Sequence, residues 1–445
     1  MNLVYIEQYL KFFVKNLIVN DYLYKGNNLR GYQVRKINEM VKFVKKNNEF
    51  YKEFYKNINF EIKSIEDIKK LPILKKDIFK KVSIENKILS NGYRKENLSC
   101  GSTTGSIGVP LTLCFDKGCI KKRMIVQSRL WKKMRALPYK RFVKIWRDKK
   151  LNKVEKKLKK AGLLLVIGVG DVNEPLNSAM SKEKLEKIVK EIVEFKPQVI
   201  RGYVSALYSI ARIIEEKNIK FDFLESVITS AEYLPKTMWE YFEKVFKVPV
   251  FNLYGGTEAP AIAVNNENNY NLEISEDLYF VEVLDKNGND VKPGEMGLIT
   301  ITDLYSKATP LIRYQIGDMA IVDEKFYSYS NNFRYFVSVE GRTNDIFELE
   351  DGSLIYSHLW HIYFRDENWI DKFQVIQKEK NLINIKILPI NYCDKNFKKL
   401  RKKIESKFPK VNFEWEMVNK FELINGKFRA IISLVENKFN KFNKG

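Results

Sequence analysis

A stretch rich in glycine and hydroxyl side chains lies at residues 99–110, with the sequence SCGSTTGSIGVP. Glycine lets backbone N–H groups come close to a ligand, and serine and threonine add donors without bulk, so this loop suits phosphate groups. It lacks the Gly-Lys-Ser/Thr ending of the P-loop, which excludes the kinases and classical NTPases. A surface turn of the same composition is the alternative interpretation.

Several short segments rich in charged, glycine and aromatic residues follow this loop along the chain. They are Ala231-Glu232, residues 254–258 (YGGTE), 313–318 (RYQIGD), 341–345 (GRTND) and 425–429 (NGKFR). Taken singly, Glu258 could be a surface acid and Asp318 a turn former. Their linked order along one chain favours a shared site.

Together with residues 68–76, 196–205 and 294–304, these segments resemble the adenylate-forming superfamily of acyl-CoA synthetases, adenylation domains and luciferases. Within that superfamily, the chain is most similar to the phenylacetate–CoA ligase family, including its CapK-like branch in capsular polysaccharide biosynthesis. The resemblance extends over about residues 50–435. It implies an α/β fold, with a large multilayer N-terminal adenylate-forming domain and a small mobile α+β C-terminal domain.

The resemblance also implies a nucleotide site, whose residues are named by their positions here. The β- and γ-phosphates of ATP would be held by Ser102, Thr103, Thr104 and Gly105. The adenine ring would lie against Ala231 and Glu232, with Tyr254 stacked on it and Gly255 beside it. Asp318 would accept hydrogen bonds from the ribose hydroxyls, and Arg342 would neutralise phosphate charge.

Catalytic roles and an acid pocket follow from the same resemblance. Thr257 would touch the α-phosphate, and Glu258 would bind Mg²⁺, a hard cation that prefers carboxylate oxygens. Lys427 would bridge the carboxylate and the α-phosphate while pyrophosphate leaves, because a cation stabilises charge where it develops. The walls of the acid pocket would include Tyr203, Ser205, Ala259 and Pro260.

Two departures from the family pattern lie in these segments. Pro110 follows Gly105 by five residues, where the family has proline two residues after its glycine, so we expect an altered nucleotide affinity. The Gly-Arg pair is followed by Asn344-Asp345 in place of two acids, so the expected hinge carries one neutral side chain.

The elements that must position these residues are read from periodicity. Residues 1–95 predict a helical entry region, in which Ser64 is the N-cap of a short helix. From 98 to 320, helices such as 182–196 alternate with apolar strands such as 226–230, which predicts a largely parallel sheet. We expect an N-terminal ATP- and carboxylate-binding domain at 1–341 and a C-terminal lid domain at 342–445 that carries Lys427.

The composition limits the class of protein. A hydrophobic fraction of 45% with 13% aromatic residues predicts a folded globular chain, and no run of about 18 apolar residues predicts a membrane span. The net charge of +23 is spread along the whole length without a recognition motif, so we do not expect nucleic-acid binding. The four cysteines lack CxxC spacing, so we predict neither a disulfide nor a zinc site. We therefore expect a cytoplasmic location.

The reaction predicted from these residues is ATP-dependent activation of a carboxylic acid to an acyl-adenylate, followed by transfer to coenzyme A, a carrier thiol or a sugar acceptor. Three alternatives stay open. They are an acyl-protein synthetase of the luminescence type, a non-catalytic relative that binds nucleic acid or anionic membrane, and a phosphotransferase that releases ADP.

Overall fold

The structure is a computed structural model. It describes residues 22–84, 87–102, 112–146, 151, 153–168, 182–328, 332–342, 346–364, 367, 369–421 and 430–435. Thr103, Thr104, Gly105 and Lys427 lie outside these ranges, as do residues 343–345. The predictions made for those residues therefore stay predictions.

Helices occupy most of the entry region and separate the strands that follow. They are α1 (Leu29–Asn47), α2 (Glu49–Phe54), α3 (Ile65–Lys69), α4 (Lys76–Ile84), α5 (Lys117–Lys133), α6 (Lys153–Lys160), α7 (Lys182–Phe195), α8 (Val204–Glu216), α9 (Lys236–Phe246), α10 (Ser357–Phe364) and α11 (Asp394–Glu405), with 3-10 turns at Lys95–Asn97 and Glu324–Ser328.

The strands are short in the first half of the chain and longer towards its end. They are β1 (Ser99–Ser102), β2 (Thr112–Phe115), β3 (Phe142–Trp146), β4 (Leu164–Gly168), β5 (Val199–Gly202), β6 (Ser226–Ser230), β7 (Val250–Tyr254), β8 (Ala263–Asn265), β9 (Leu272–Ile274), β10 (Tyr279–Leu284), β11 (Met296–Asp303), β12 (Tyr314–Ile321), β13 (Tyr335–Phe336), β14 (Ser338–Arg342), β15 (Ile346–Glu348), β16 (Leu354–Tyr356), β17 (Ile370–Glu379), β18 (Leu382–Pro389), β19 (Asn412–Met417) and β20 (Ile431–Ser433).

The chain forms two compact units, and each is built from two separate stretches of sequence. Unit 1 comprises residues up to Lys140 and Pro249–Val339. Unit 2 comprises Arg141–Val248 and the residues from Glu340 onward. The strand β14 lies where the chain passes from unit 1 to unit 2 for the second time.

Unit 1 combines the helical entry region with antiparallel sheets. The strands β10, β11 and β12 pair in antiparallel order, and every residue of β10 is buried. The strands β7, β8 and β9 form a second antiparallel arrangement, which β13 extends. Helix α3 begins with a capping box between Ser64 and Asp67, as the sequence predicted. The described part of the predicted helical entry contains helices from Leu29 to Ile84, whereas residues 87–94 form none, and the domain bounds stay a prediction.

The first part of unit 2 is a parallel sheet with the order β4-β3-β5-β6. The strand β6 is buried at every position. Helices α7 and α8 each bury an apolar face. The predicted helix at 182–196 and the predicted strand at 226–230 are both confirmed. The parallel order confirms the α/β expectation for this part of the chain.

The second part of unit 2 is an α+β arrangement with its own core. Its sheet has the order β19-β18-β17-β20, with β18–β19 and β17–β20 parallel and β17–β18 antiparallel. Buried Trp360, Val375, Ile385 and Leu400 belong to one apolar cluster that runs from Phe347 to Ile431. Within the described ranges, every helix of the protein is too short or too polar to cross a lipid bilayer.

Candidate active site

The predicted phosphate loop starts and ends in a two-stranded hairpin of unit 1. The strands β1 and β2 run antiparallel, with Cys100 opposite Cys114, and the two sulfurs form a disulfide. The expectation that no disulfide forms was wrong. It rested on closely spaced cysteine motifs, whereas an antiparallel hairpin brings together cysteines separated by 14 residues. Ser102 ends β1, and its contact with phosphate stays a prediction.

The hairpin lies against the segment that carries the predicted catalytic residues. A β-carbon added to Gly101 would lie 3.3 Å from the Cγ2 atom of Thr257. The first strand of the loop therefore passes in van der Waals contact with Thr257. The structure brings together the base of the loop and the residue expected at the α-phosphate.

The turn after β7 positions the predicted metal ligand. Gly255 has no room for a side chain, because a β-carbon there would lie 2.6 Å from the backbone nitrogen of Ala261. The Gly256 N–H donates to the Ala259 carbonyl at 3.0 Å, and Ala261 adopts a left-handed backbone with φ of 59°. These constraints close a tight turn after β7, and Glu258 lies within that turn.

Ala259 and Pro260, the predicted pocket walls in unit 1, belong to the same turn. Ala259 is 1% exposed, and the Pro260 carbonyl accepts a hydrogen bond of 2.9 Å from the Tyr279 hydroxyl. Both residues are thus fixed to the antiparallel core. Their role as pocket walls stays a prediction.

The Glu258 side chain is mostly buried, with 13% of its surface exposed, and it touches a cation from α4. Lys76 Nζ lies 3.1 Å from Glu258 Oε1 and also donates to the Ile316 carbonyl at 3.3 Å. Helix α4 begins at Lys76, directly after the Leu-Pro segment that the resemblance includes. Lys76 therefore places a second charged group beside the predicted metal ligand.

The backbone of Glu258 is held by a buried arginine from α5. Arg123 Nη2 donates to the Glu258 carbonyl at 3.1 Å and to Asp303 Oδ2 at 2.7 Å. Burial acts to lower the pKa of Arg123, but Tyr279 and Asp303 outweigh it, and the pKa lies above its ordinary value. The guanidinium, which lies 3.8 Å from the centre of the Phe115 ring, is thus a permanent cation.

The predicted adenine and ribose ligands contact each other directly. The Tyr254 hydroxyl donates to Asp318 Oδ2 at 2.9 Å, and the Tyr254 ring meets Phe336 edge to face at 6.2 Å. One carboxylate oxygen of Asp318 is occupied by tyrosine in this arrangement. A sugar hydroxyl pair would therefore use the other oxygen or displace the phenol.

A magnesium ion fits this site only with help from the nucleotide. Within the described residues, no group of three or more His, Cys, Asp or Glu side chains could hold a metal ion. Mg²⁺ commonly binds through one or two carboxylates, water and substrate phosphates, which Glu258 alone could satisfy in part. Lys76 is paired with Glu258 Oε1. A bound Mg²⁺ would therefore be coordinated by Glu258 Oε2 or would displace the Lys76 ammonium.

In unit 2, Glu232 and Ser205 contact each other at the start of α8. The Ser205 N–H and hydroxyl donate to the Glu232 carboxylate at 2.8 and 3.0 Å. Ala231, between β6 and Glu232, has a left-handed backbone with φ of 69°. The carboxylate therefore accepts hydrogen bonds at the positive end of a helix.

Tyr203, the remaining predicted pocket wall, precedes α8 and packs on an aromatic residue of the neighbouring strand. Its ring stacks on Trp146 with centroids 4.4 Å apart. Trp146 was not among the predicted site residues. Arg342 ends β14 in unit 2, and its predicted contact with phosphate stays a prediction.

The structure adds Lys76 and Arg123 to the residues around Glu258. The sequence held a signal for Lys76, because it lies in the 68–76 segment that carries the resemblance. Arg123 lies in a lysine-rich helix with no distinctive spacing, so only its burial reveals it. By contrast, Arg313 pairs with buried Glu282 at 2.7 Å and donates to the Leu71 carbonyl, which makes it a structural residue.

The last part of the chain matches one known protein family. A family model of the CapK C-terminal domain matches residues 347–434. Protein CapK of Staphylococcus aureus is 27% identical over 410 residues, which cover 88% of this chain and 86% of that protein. The chain is thus similar to protein CapK over most of the length of both.

Other proteins similar to this chain are enzymes by name. A phenylacetate-coenzyme A ligase of Thermus thermophilus is 21% identical over 227 residues, which cover 50% of this chain and 51% of that protein. A 2-hydroxyisobutyryl-CoA ligase in the postadenylation state is similar in structure, with a TM-score of 0.67 at 15% identity, over 95% of this chain and 93% of that one. The chain thus has the fold of an acyl-CoA ligase, as the sequence predicted.

Proposed function

We propose that this protein activates a carboxylic acid with ATP, forms an acyl-adenylate with release of pyrophosphate, and transfers the acyl group to coenzyme A. The observation that carries the proposal is the cluster of Thr257, Glu258, Tyr254 and Asp318 beside the base of the glycine-rich loop in unit 1. These are the residues that the resemblance assigns to the α-phosphate, the metal, adenine and ribose.

Each step asks the chain mainly for charge and position. The carboxylate must attack the α-phosphorus while negative charge builds up on the phosphate oxygens, and fixed cations lower the barrier there. Lys76, already beside Glu258, is one such cation, and Lys427 is the second by resemblance. Mg²⁺, when bound, would neutralise phosphate charge next to Glu258.

The acceptor in the proposal is coenzyme A, and a carrier thiol or a sugar hydroxyl or amine would use the same intermediate. A 2-hydroxyisobutyryl-CoA ligase with the same fold has been solved with its acyl-AMP and CoA in the thioesterification state, at 15% identity and a TM-score of 0.58. We propose that residues 343–345 act as a hinge, so that Lys427 acts in the first half-reaction and leaves room for the acceptor in the second.

The first test is acid-dependent exchange of labelled pyrophosphate into ATP. We expect exchange with at least one acid from a panel of aromatic, hydroxy- and dicarboxylic acids, with AMP as the nucleotide product. Production of ADP would instead indicate a phosphotransferase. An absence of exchange, combined with polynucleotide binding that weakens steeply with salt, would favour a non-catalytic binding protein.

Lys427→Ala separates the two half-reactions. We expect exchange to fall by on the order of 10²–10³, as for the loss of a group that stabilises developing charge. Conversion of pre-made acyl-adenylate to the thioester should continue. An equal loss of both half-reactions would contradict the role of Lys427.

A further inference from the structure

The hairpin of β1 and β2 in unit 1 combines a disulfide with a position beside the residues proposed for ATP. Its two strands form a sheet of their own, in which Cys100 and Cys114 lie directly opposite each other and are joined covalently. A two-stranded hairpin is only marginally stable in water without further support. The disulfide therefore holds together two short strands that their hydrogen bonds alone would hold weakly.

The two strands are fixed to the rest of unit 1 to different degrees. In β2, Cys114 is buried, and its N–H donates to Thr309 Oγ1 at 3.1 Å. The buried Phe115 follows it, with the centre of its ring 3.8 Å from Arg123 Cζ. In β1, by contrast, Cys100 is exposed. The strand β2 is thus the anchored strand, and the disulfide ties the more exposed strand to it.

Both sides of the hairpin lead to the proposed ATP site. In β1, Gly101 follows Cys100, and a β-carbon on Gly101 would lie 3.3 Å from Thr257 Cγ2. Beside the anchored strand, Arg123 of α5 donates to the Glu258 carbonyl at 3.1 Å. Reduction of the disulfide would leave the contact at Glu258 in place, because it belongs to a helix. It would release β1 from its covalent tie, and with it the contact at Thr257.

The exposed position of Cys100 makes the disulfide accessible to a thiol in solution. Exchange begins when a thiolate attacks a disulfide sulfur, so access decides which sulfur reacts. Cys100 is exposed, whereas Cys114 is 3% exposed. An attacking thiolate would therefore bond to Cys100 Sγ, the bond between the two Sγ atoms would break, and Cys114 would leave as a thiolate. In a reducing compartment, disulfides are usually transient and redox-sensing.

The two other cysteines of the chain differ from this pair. Cys119 is buried, and burial raises the pKa of its thiol, with the Asp303 carboxylate adding to the rise. A thiol that stays protonated is a poor nucleophile, so Cys119 does not take part in exchange. Cys393 is a half-exposed free cysteine of unit 2. It offers a control for an effect that belongs to the hairpin.

We propose that Cys100 and Cys114 form a reversible redox site that controls ATP binding, and that the disulfide form is the one that binds ATP. The inference rests on the proposed function for the identity of the nucleotide. A protein dithiol supplies the two electrons for reduction. Its first thiolate forms a mixed disulfide with Cys100, its second thiol attacks that bond and releases Cys100, and its two protons pass to the two cysteines. Glutathione disulfide reverses the change by accepting two electrons and two protons, which yields two molecules of glutathione.

The test measures ATP binding by the same protein in two redox states. Calorimetry with ATP, without a carboxylic acid, compares protein oxidised by glutathione disulfide with protein reduced by dithiothreitol, below the melting temperature of the reduced form. We expect the Kd for ATP to rise about 10-fold or more on reduction, because ATP then binds only the minor fraction of molecules in which the hairpin is formed. Reoxidation should restore the original Kd. An unchanged Kd would overturn the proposal.

Alkylation followed by mass spectrometry identifies the thiols in each state. In the oxidised protein, iodoacetamide should modify Cys393 and leave Cys100 and Cys114 unmodified. In the reduced protein, Cys100 should be modified as well, because it is exposed. Equal modification of Cys100 in both states would mean that no disulfide forms there, and the proposal would be wrong.

Cysteine variants show which residues carry the redox response. The double variant Cys100→Ser/Cys114→Ser should bind ATP as weakly as the reduced wild type, and neither reagent should change its Kd. The control Cys393→Ser should keep the full response. A response that persists in the double variant, or that is lost in the control, would contradict the assignment. If the double variant does not fold, the Kd values of reduced and reoxidised wild type still decide.

Pyrophosphate exchange separates this proposal from the proposed function. A redox-dependent Kd for ATP without exchange for any acid would uphold the redox site and contradict adenylation. Exchange whose KM for ATP is the same in both redox states would uphold adenylation and overturn the redox site.

Discussion

The two compact units support their predicted site residues in different ways. In unit 1, buried arginine–carboxylate pairs tie distant elements together, among them Arg30–Glu276, Arg123–Asp303 and Arg129–Asp277, whose side chains are at most 10% exposed. In the first part of unit 2, apolar strands form the core, and pairs such as Lys182–Glu216 lie at the surface.

This difference bears on how each unit responds to substitution. Buried ion pairs fix geometry even where they add little net stability, and removal of one partner leaves a buried charge uncompensated. Surface pairs contribute little. We therefore expect charge-removing substitutions to destabilise unit 1 more than the first part of unit 2.

The largest effect should come from breaking the most buried pair of unit 1. Glu276 is fully buried and accepts from Arg30 at 2.6 and 2.8 Å and from Arg334 at 2.8 Å. Glu276→Gln leaves two arginines without their countercharge, so urea unfolding should show a loss of about 3–5 kcal/mol. The control Glu267→Gln, at an exposed pair with Arg135, should cost at most about 1 kcal/mol.

The pH dependence of that loss follows from the pKa of Glu276. Burial acts to raise the pKa, but Arg334 and Arg30 outweigh it and hold the pKa below its ordinary value. The stabilisation is thus present above the unfolded pKa and is lost as the pH falls through the folded one. The gap between wild type and Glu276→Gln should narrow in acid, and a constant gap would contradict the ionic origin of the effect.

The second effect concerns the hairpin at the base of the phosphate loop. Replacing Cys100 and Cys114 by serine opens a ring whose ends are 14 residues apart, and a loop of about this length is stabilised by roughly 3 kcal/mol. We expect a lower melting temperature for the double variant and for wild type under dithiothreitol. An unchanged melting temperature in both would show that the strands need no covalent link.

The third effect separates ATP chemistry from folding. Glu258→Gln should reduce pyrophosphate exchange by on the order of 10²-fold and weaken its dependence on Mg²⁺, because the ion loses a charged ligand. The melting temperature should change little, since glutamine keeps the size of the side chain and the partner Lys76 is 25% exposed to water. A sharp fall in melting temperature with an intact Mg²⁺ dependence would make Glu258 structural.

The smallest effect tests the contact between the predicted adenine and ribose ligands. Tyr254→Phe removes one hydrogen bond to Asp318, worth about 1 kcal/mol, so the KM for ATP should change about five-fold. The exposed Tyr139 provides the control Tyr139→Phe, which should leave the KM as it is. A change in the KM for the acid, with the KM for ATP unchanged, would indicate that Tyr254 contacts the acid and not the nucleotide.

Sequence patterns predicted the helices and strands better than they predicted which elements contact each other. The apolar stripe gave helix α7, and a run of β-branched residues gave β6 within the predicted bounds, because both signals are local. The family resemblance and the fold are confirmed by comparison with known proteins. The roles of Lys427, Arg342 and the phosphate loop stay predictions.

What the sequence could not predict depends on register and on long-range contact. The disulfide was missed because only the pairing of β1 with β2 brings Cys100 opposite Cys114. The stack of Tyr203 on Trp146 was missed as well, because β3 and β5 are neighbours only in the order of the sheet. Both are properties of strand order, which local periodicity does not contain.

The construction of unit 1 from two separated stretches has a consequence for synthesis. Arg30 and Glu276 are 246 residues apart in the chain, so the ribosome needs roughly 10–50 s to supply the acid after the arginine at 5–20 residues per second. Throughout that interval, the nascent entry helices lack the strands that cover their apolar faces. The N-terminal part of this polypeptide should therefore depend on chaperones while it emerges, and fragments that end before Pro249 should aggregate.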